Sequence, residues 1–198
     1  MKNIIWLLVM LMLTGTLRAQ EELIGAPVKL TLGVGAGPST PTGSLSDLDN
    51  AGWNAGANVR VEGLIPLELV GMVQYNRLPN RTQDVLPAMG RPLLLGSGES
   101  DVAWLYGVGL EYPFSLPIIR PYIGVDGFIT SLSNTAPNSP SVTREGIDTG
   151  IGAQIPFAVF GNVNVEFKYQ IFNIAGKEQN EDTYSQVMAN ISVSFGIL

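Results

Sequence analysis

The sequence predicts an all-β fold: an eight-stranded antiparallel up-and-down transmembrane β-barrel. Three observations carry that expectation. Eight segments alternate apolar and polar residues with a period of two. The connections between them are long and short in turn. Each segment runs about ten residues, the length a tilted strand needs to cross a hydrocarbon core.

The first segment, Val28 to Gly37, sets Leu30, Leu32, Val34 and Ala36 against Lys29, Thr31, Gly33 and Gly35. In the second, Trp53 to Glu62, Ala55, Ala57, Val59 and Val61 oppose Asn58, Arg60 and Glu62. The third, Leu67 to Arg77, sets Leu67, Leu69, Val73 and Tyr75 against Glu68, Gln74 and Asn76. The fourth, Asp101 to Tyr112, sets Val102, Trp104, Tyr106, Val108 and Leu110 against Asp101, Gly107, Gly109 and Glu111.

In the fifth, Ile119 to Ile129, Ile119, Ile123, Val125 and Ile129 oppose Arg120, Tyr122, Gly124 and Asp126. The sixth, Gly146 to Ile155, sets Ile147, Ile151 and Ile155 against Asp148, Gly150, Gly152 and Gln154. The seventh alternates most cleanly: Val163, Val165, Phe167, Tyr169 and Ile171 interleave with Asn162, Asn164, Glu166, Lys168 and Gln170. The eighth, Tyr184 to Ile197, sets Val187, Ala189, Ile191, Val193, Phe195 and Ile197 against Gln186, Asn190, Ser192 and Ser194.

Long connections are expected at Pro38 to Gly52, Leu78 to Ser100, Thr130 to Glu145 and Asn173 to Thr183; short ones at Gly63 to Pro66, Pro113 to Ile118 and Pro156 to Gly161. A Greek-key sandwich has no reason to alternate in this way. A barrel with one end facing outside does.

Composition bounds the chemistry. The 198 residues are 45% hydrophobic and 14% charged, with neither Cys nor His. Thiolate metal sites, disulfides and Ser-His nucleophiles are therefore excluded. A net charge of −6 disfavours nucleic-acid binding. No metal or other cofactor is expected.

Residues 1–19 read as a secretory signal peptide. Lys2 precedes an unbroken apolar run, Ile4 to Leu13, and Leu17-Arg18-Ala19 offers a small residue at the cut. As a helix that run rises about 15 Å, half of a ~30 Å hydrocarbon core, which argues against an N-terminal membrane anchor. Cleavage leaves residues 20–198 as the barrel domain. Loss of Lys2 and Arg18 leaves 9 basic against 17 acidic residues, about −8.

If the apolar face meets lipid, the polar face lines the lumen. The expected lumen network is Lys29, Arg60, Glu62, Glu68, Asp101, Glu111, Arg120, Asp126, Asp148, Glu166 and Lys168. Charges avoid the apolar face, where each would cost up to ~2–4 kcal/mol near the midplane. Glycines on the polar face leave room for long side chains. Eight strands make a lumen that side chains can fill, so a plugged cylinder is expected. Two aromatic belts are expected. Trp53, Tyr75, Trp104, Tyr169, Phe172 and Tyr184 fall near the long-loop ends of their strands; Tyr112, Phe114, Phe157, Phe160 and Phe195 fall near the short-turn ends.

With its leader ending in Ala19-Gln20, its eight alternating segments and its terminal amphipathic strand, Gln186 to Leu198, the chain resembles the small eight-stranded outer-membrane β-barrels. This is the OmpA/OmpX-like and opacity-type group. The resemblance rests on pattern over nearly all of residues 20–198. It implies export to the outer membrane, contact with its lipid, and assembly by the barrel-assembly machinery through the C-terminal strand. Family members usually end on an aromatic residue; here Phe195 stands three places before the end. Catalytic barrels of this class generally use His at the outer rim, so no enzyme activity is expected.

The remaining motifs are weak. Gly33 to Pro38 lacks the last glycine of a phosphate loop, and Gly96 to Ser100 reads as a loop tip. Asp47-Leu48-Asp49-Asn50 lacks calcium-loop spacing and reads as a turn. Asn80-Arg81-Thr82 and Asn190-Ile191-Ser192 match a glycosylation pattern incidentally. Paired loop acids, Asp47 with Asp49 or Glu181 with Asp182, would stay ionised and make poor general acids. Three functions remain open. The favoured one is a non-enzymatic outer-membrane barrel whose four outward loops serve surface interaction or envelope integrity. The others are a narrow channel for small solutes and a soluble secreted binding barrel. The surface ligand is not legible.

Overall fold

A computed structural model of the chain describes residues 28–63, 67–81, 100–114, 116–135, 141–158, 161–179 and 181–197. The expected leader, Phe160 and most of the connection before Ser100 lie outside these residues. Eight strands follow one another: β1 Lys29–Gly43, β2 Gly52–Glu62, β3 Glu68–Pro79, β4 Ser100–Pro113, β5 Arg120–Asn134, β6 Val142–Ala158, β7 Gly161–Ala175 and β8 Tyr184–Gly196. Each pairs antiparallel with its neighbours in sequence, and β8 closes on β1. Closure leaves no sheet edge, so no strand presents a row of unpaired amides.

Closure holds the alternation in register all round the wall. Val34 pairs with Ala57 and Val193, Ala57 with Val73, and Val73 with Tyr106. All of these point outward. The polar residues between them point inward, because side chains alternate strictly along a strand.

The strands run further at the long-connection end than the apolar pattern predicts. β1 continues through Pro38 to Gly43, β5 through Thr130 to Asn134, and β6 begins at Val142. These added residues are Ser, Thr and Pro rich, which hides a strand from a hydrophobic-period reading. Pro38 cannot donate to the ladder, and the β1–β8 pairing skips Gly37 and Pro38 before resuming at Ser39 with Met188. The expected connection from Pro38 to Gly52 thus shrinks to a short 3-10 turn, Ser44–Asp47, with its flanks. Gly63, at the tight β2–β3 turn, and Gly176, where β7 ends, adopt φ of 96° and 79°, a region glycine enters without strain.

One irregularity matters for the interior. Glu145 pairs with Ala175, but Ile147 pairs with Ile171, so β7 carries extra residues opposite Gly146. This bulge turns two successive side chains, Phe172 and Asn173, inward. Opposite the bulge, Gly146 leaves room for the Phe128 ring, which a Cβ there would strike.

Candidate functional site

The interior is polar and the exterior apolar. Val34, Ile151 and Ile191 are 63%, 60% and 62% exposed, whereas Glu68, Asp126 and Gln186 are at most 1% exposed. A barrel packed around an apolar core would show the reverse. The apolar exterior forms a band with aromatic margins. Trp53, Tyr75, Trp104 and Tyr169 stand on the outward face toward the long connections. Tyr112 packs edge-on against Phe114 at 5.0 Å, and Phe157 against Phe195 at 6.2 Å, at the other end. Trp104 and Tyr112 lie on one strand, about 27 Å apart along it. At the usual barrel tilt that spans about 21 Å of axis, close to the ~25 Å apolar band of membrane barrels.

The inward charges fall into several paired groups. At the short-turn end Arg120 bridges Glu62 at 2.6 Å and Glu68 at 2.7 Å, and Lys29 joins Glu62 at 3.5 Å. Deeper in, Arg60 grips Glu111 through two hydrogen bonds of 2.9 and 3.1 Å. Its guanidinium also lies 5.6 Å from the centre of the Tyr122 ring. Tyr122 donates its hydroxyl to Glu166 at 3.1 Å. Lys168 bonds to Asp126 and lies 3.4 Å from Glu166 and 3.6 Å from Asp148. Asp101 sits higher, accepting from Asn134 Nδ2 at 2.7 Å.

Small residues make this packing possible. A Cβ at Gly109 would strike Asp126, one at Gly150 would strike Lys168, and one at Gly152 would strike Tyr122. Above the charges the network continues through amides. Gln170 donates to Asp148, Gln186 donates to Gln170 and Asn76, and Gln74 donates to Asn76. A cavity of about 50 Å³ beside Arg60, Gln74 and Lys168 has room for water and polar lining to hold it.

Toward the long connections the interior turns apolar. Leu45, Leu78, Leu105, Phe128, Leu132, Phe172 and Tyr184 form a buried cluster across the lumen. Two aromatic expectations are corrected here. Phe172 and Tyr184 are 2% and 5% exposed and face inward, so neither belongs to an outer belt. Their parity already said so: Phe172 follows the inward Gln170, and Tyr184 precedes the inward Gln186.

Sequence reading missed a second cluster at the rim on the long-connection side. Arg144 donates to Glu181 at 2.7 to 3.1 Å. Asn173, turned inward by the bulge, donates to Glu181 and to the Asp182 carbonyl at 2.7 Å each, and accepts from the Tyr184 amide. The Glu178 amide also donates to Glu181. Burial pushes the Glu181 carboxyl up, but the bonds from Arg144, Glu178 and Asn173 outweigh it and hold the carboxyl below the ordinary carboxylate range. Arg144 escaped notice because the expected sixth segment began at Gly146; extending that segment by parity would have turned it inward.

The weaker motifs acquire structural roles. Asp49 is fully buried and bridges to Asn80, while Asp47 is exposed, so these acids do not face a common space. Among the described residues, no group of three acidic side chains is arranged to hold a metal ion. No helix among them is long and apolar enough to cross a membrane, which says nothing about strands.

Comparison with solved structures matches the whole barrel. Neisserial surface protein A superposes with a TM-score of 0.61 at 13% identity, over 85% of this chain and 98% of that one. The fold is that of the small OmpA/OmpX-like outer-membrane barrels. The N-terminal β-barrel domain of Pseudomonas aeruginosa OprF gives 0.53 at 13% identity, over 84% and 97% of the two chains. The outer membrane protein OprG of the same organism gives 0.54 at 10% identity, over 87% and 97%. No protein-family model matches the sequence, and no curated protein does. At such identities the likeness is one of architecture.

Proposed function

We propose that the protein is an integral outer-membrane barrel without catalytic activity, whose lumen is closed and whose outward connections make its contacts. The observation that carries this reading is the inversion of polarity. Apolar side chains cover a belt of membrane height, while paired charges fill the inside. Water cannot favour that arrangement, because every exposed Val, Ile and Leu of the belt would be hydrated. In a bilayer the belt is solvated by lipid and the ladder is satisfied by closure.

The closed lumen is supported by the ion pairs and by the apolar cluster above them. A narrow channel remains the second reading, favoured by the run of inward polar groups from Lys29 to Gln186. The Leu105, Phe128 and Phe172 side chains interrupt that run before it reaches the outer end. The long connections then become the surface that partners meet, with the barrel as rigid anchor. The absence of His and Cys from the sequence leaves no activated nucleophile of the usual kinds at that surface.

Fractionation and gel mobility test the reading. The protein should sediment with outer membranes and change apparent mass on boiling in detergent. A heat-insensitive protein free in the periplasm would refute it. Planar-bilayer recording separates the two lumen readings: a silent protein fits the closed barrel, and reproducible unitary openings fit the channel.

A further inference from the structure

The outward face of β2, β3 and β4 carries a groove near the long-connection end. Its upper wall is a continuous aromatic slab: Trp53 lies 5.4 Å from Tyr75, and Tyr75 lies 4.9 Å from Trp104. Beneath the slab β2 presents Ala55 and Ala57, beside Val73 on β3. The short side chains leave a depression of about 360 Å³, lined almost wholly by apolar atoms. The depression is shallow and open along the barrel wall.

A cation stands at its upper edge. Arg77 pairs across the ladder with Trp53 and lies two residues beyond Tyr75, about 7 Å further toward the long connections. It is exposed, makes no ion pair among the described residues, and is the lone charged side chain on the outward faces of β1 to β4.

We propose that this groove binds a phosphate-bearing anionic lipid of the leaflet at the long-connection end. One acyl chain lies against Ala55 and Ala57 beneath the aromatic slab, and the phosphate meets Arg77. The inference rests on the membrane reading above. Three features select this occupant. The groove opens on the belt that faces hydrocarbon, so an acyl chain is what fills it, and an unfilled hollow would forfeit dispersion contacts. The aromatic slab lies at headgroup depth, where such rings are favoured. Arg offers a planar fork that fits phosphate. A second copy of the chain fits less well, because a two-fold interface through the groove would bring two Arg77 side chains together.

The tryptophans report directly. The sequence holds Trp6, Trp53 and Trp104, and the latter two wall the groove. The mature protein, which the expected cleavage leaves with Trp53 and Trp104 as its tryptophans, is reconstituted in phosphatidylcholine vesicles. A minor fraction of the lipid is replaced by chain-brominated phosphatidylglycerol or, separately, chain-brominated phosphatidylcholine. Brominated phosphatidylglycerol should quench tryptophan fluorescence at about fivefold lower mole fraction, the equivalent of about 1 kcal/mol for one basic residue at a membrane surface. Arg77→Gln should abolish the preference. Ala57→Phe, which fills the groove but keeps Arg77, should weaken quenching by both lipids. Equal quenching by the two lipids in the wild type overturns the proposal, as does a preference that survives Arg77→Gln. Quenching that falls as protein density rises assigns the groove to a second copy instead, and overturns it too. No quenching by either lipid at any fraction overturns the membrane reading itself.

Discussion

The Arg60 guanidinium donates through Nε and Nη2 to both carboxylate oxygens of Glu111, with side chains 4% and 2% exposed. The two residues lie on β2 and β4 and meet across the lumen, tying strands that do not pair. Such a bidentate pair fixes geometry as well as charge. Its desolvation cost is large, so its net contribution is smaller than the cost of breaking it.

That asymmetry predicts a particular pattern in a double-mutant cycle. Arg60→Leu alone should destabilise the folded barrel by about 3 to 5 kcal/mol, because it leaves Glu111 buried and unpaired. Combining it with Glu111→Leu should restore much of the loss. Urea unfolding in lipid vesicles, followed by fluorescence, measures both. Additive losses in the double variant would contradict the lumen pairing.

Val108 lies midway along β4 between Trp104 and Tyr112 and is 58% exposed. Its side chain therefore stands at the middle of the apolar band. Val108→Arg should cost about 2 to 4 kcal/mol and reduce the yield of heat-modifiable barrel in the membrane. Val108→Leu should leave yield unchanged. If both variants assemble equally, the outward face does not meet lipid.

Phe172 belongs to the apolar cluster at the long-connection end of the lumen. Phe172→Ala should lower stability by about 3 to 5 kcal/mol, as large-to-small changes in packed interiors do. Thermal unfolding in detergent measures the loss. A change within a few tenths of a kcal/mol would show that the ring faces outward, as a belt residue would.

The Glu181 carboxyl fixes the β7–β8 connection through Arg144 and Asn173. Its carboxyl is held below the ordinary range in the folded protein. The stabilisation is thus complete above the unfolded glutamate pKa of about 4.3 and is lost as pH falls through the depressed folded value. The Asn173 side-chain amide resonances, followed by NMR in detergent, should shift only in that acidic window. Glu181→Gln should remove the dependence. A transition near neutral pH would contradict the assigned bonds.

Much of the candidate site was legible because a strand repeats every two residues. Once Glu166 and Lys168 alternate with Val165, Phe167 and Tyr169, their common face follows. The same rule turns Phe172 and Tyr184 inward, where both are buried. What periodicity cannot reach is the polar extension of β1, β5 and β6, where Ser, Thr and Pro carry no hydrophobic signal. Nor can it reach the β7 bulge, which breaks the period at Asn173. The polar start of β6 likewise hides Arg144, because that strand begins at Val142 and the apolar alternation only at Gly146.

The sequence by itself determined the strand number, the alternating connections and which faces are polar, since each depends on local spacing alone. Tertiary structure decided who meets whom. The pairing of Arg60 with Glu111 and the apolar cluster at the long-connection end join strands that do not pair, while Asp126, Asp148 and Glu166 gather round Lys168 from three successive strands. The physical reason is closure. The registers of eight ladders must agree around one circuit, and that condition fixes which inward residues share a level. No segment carries that information alone.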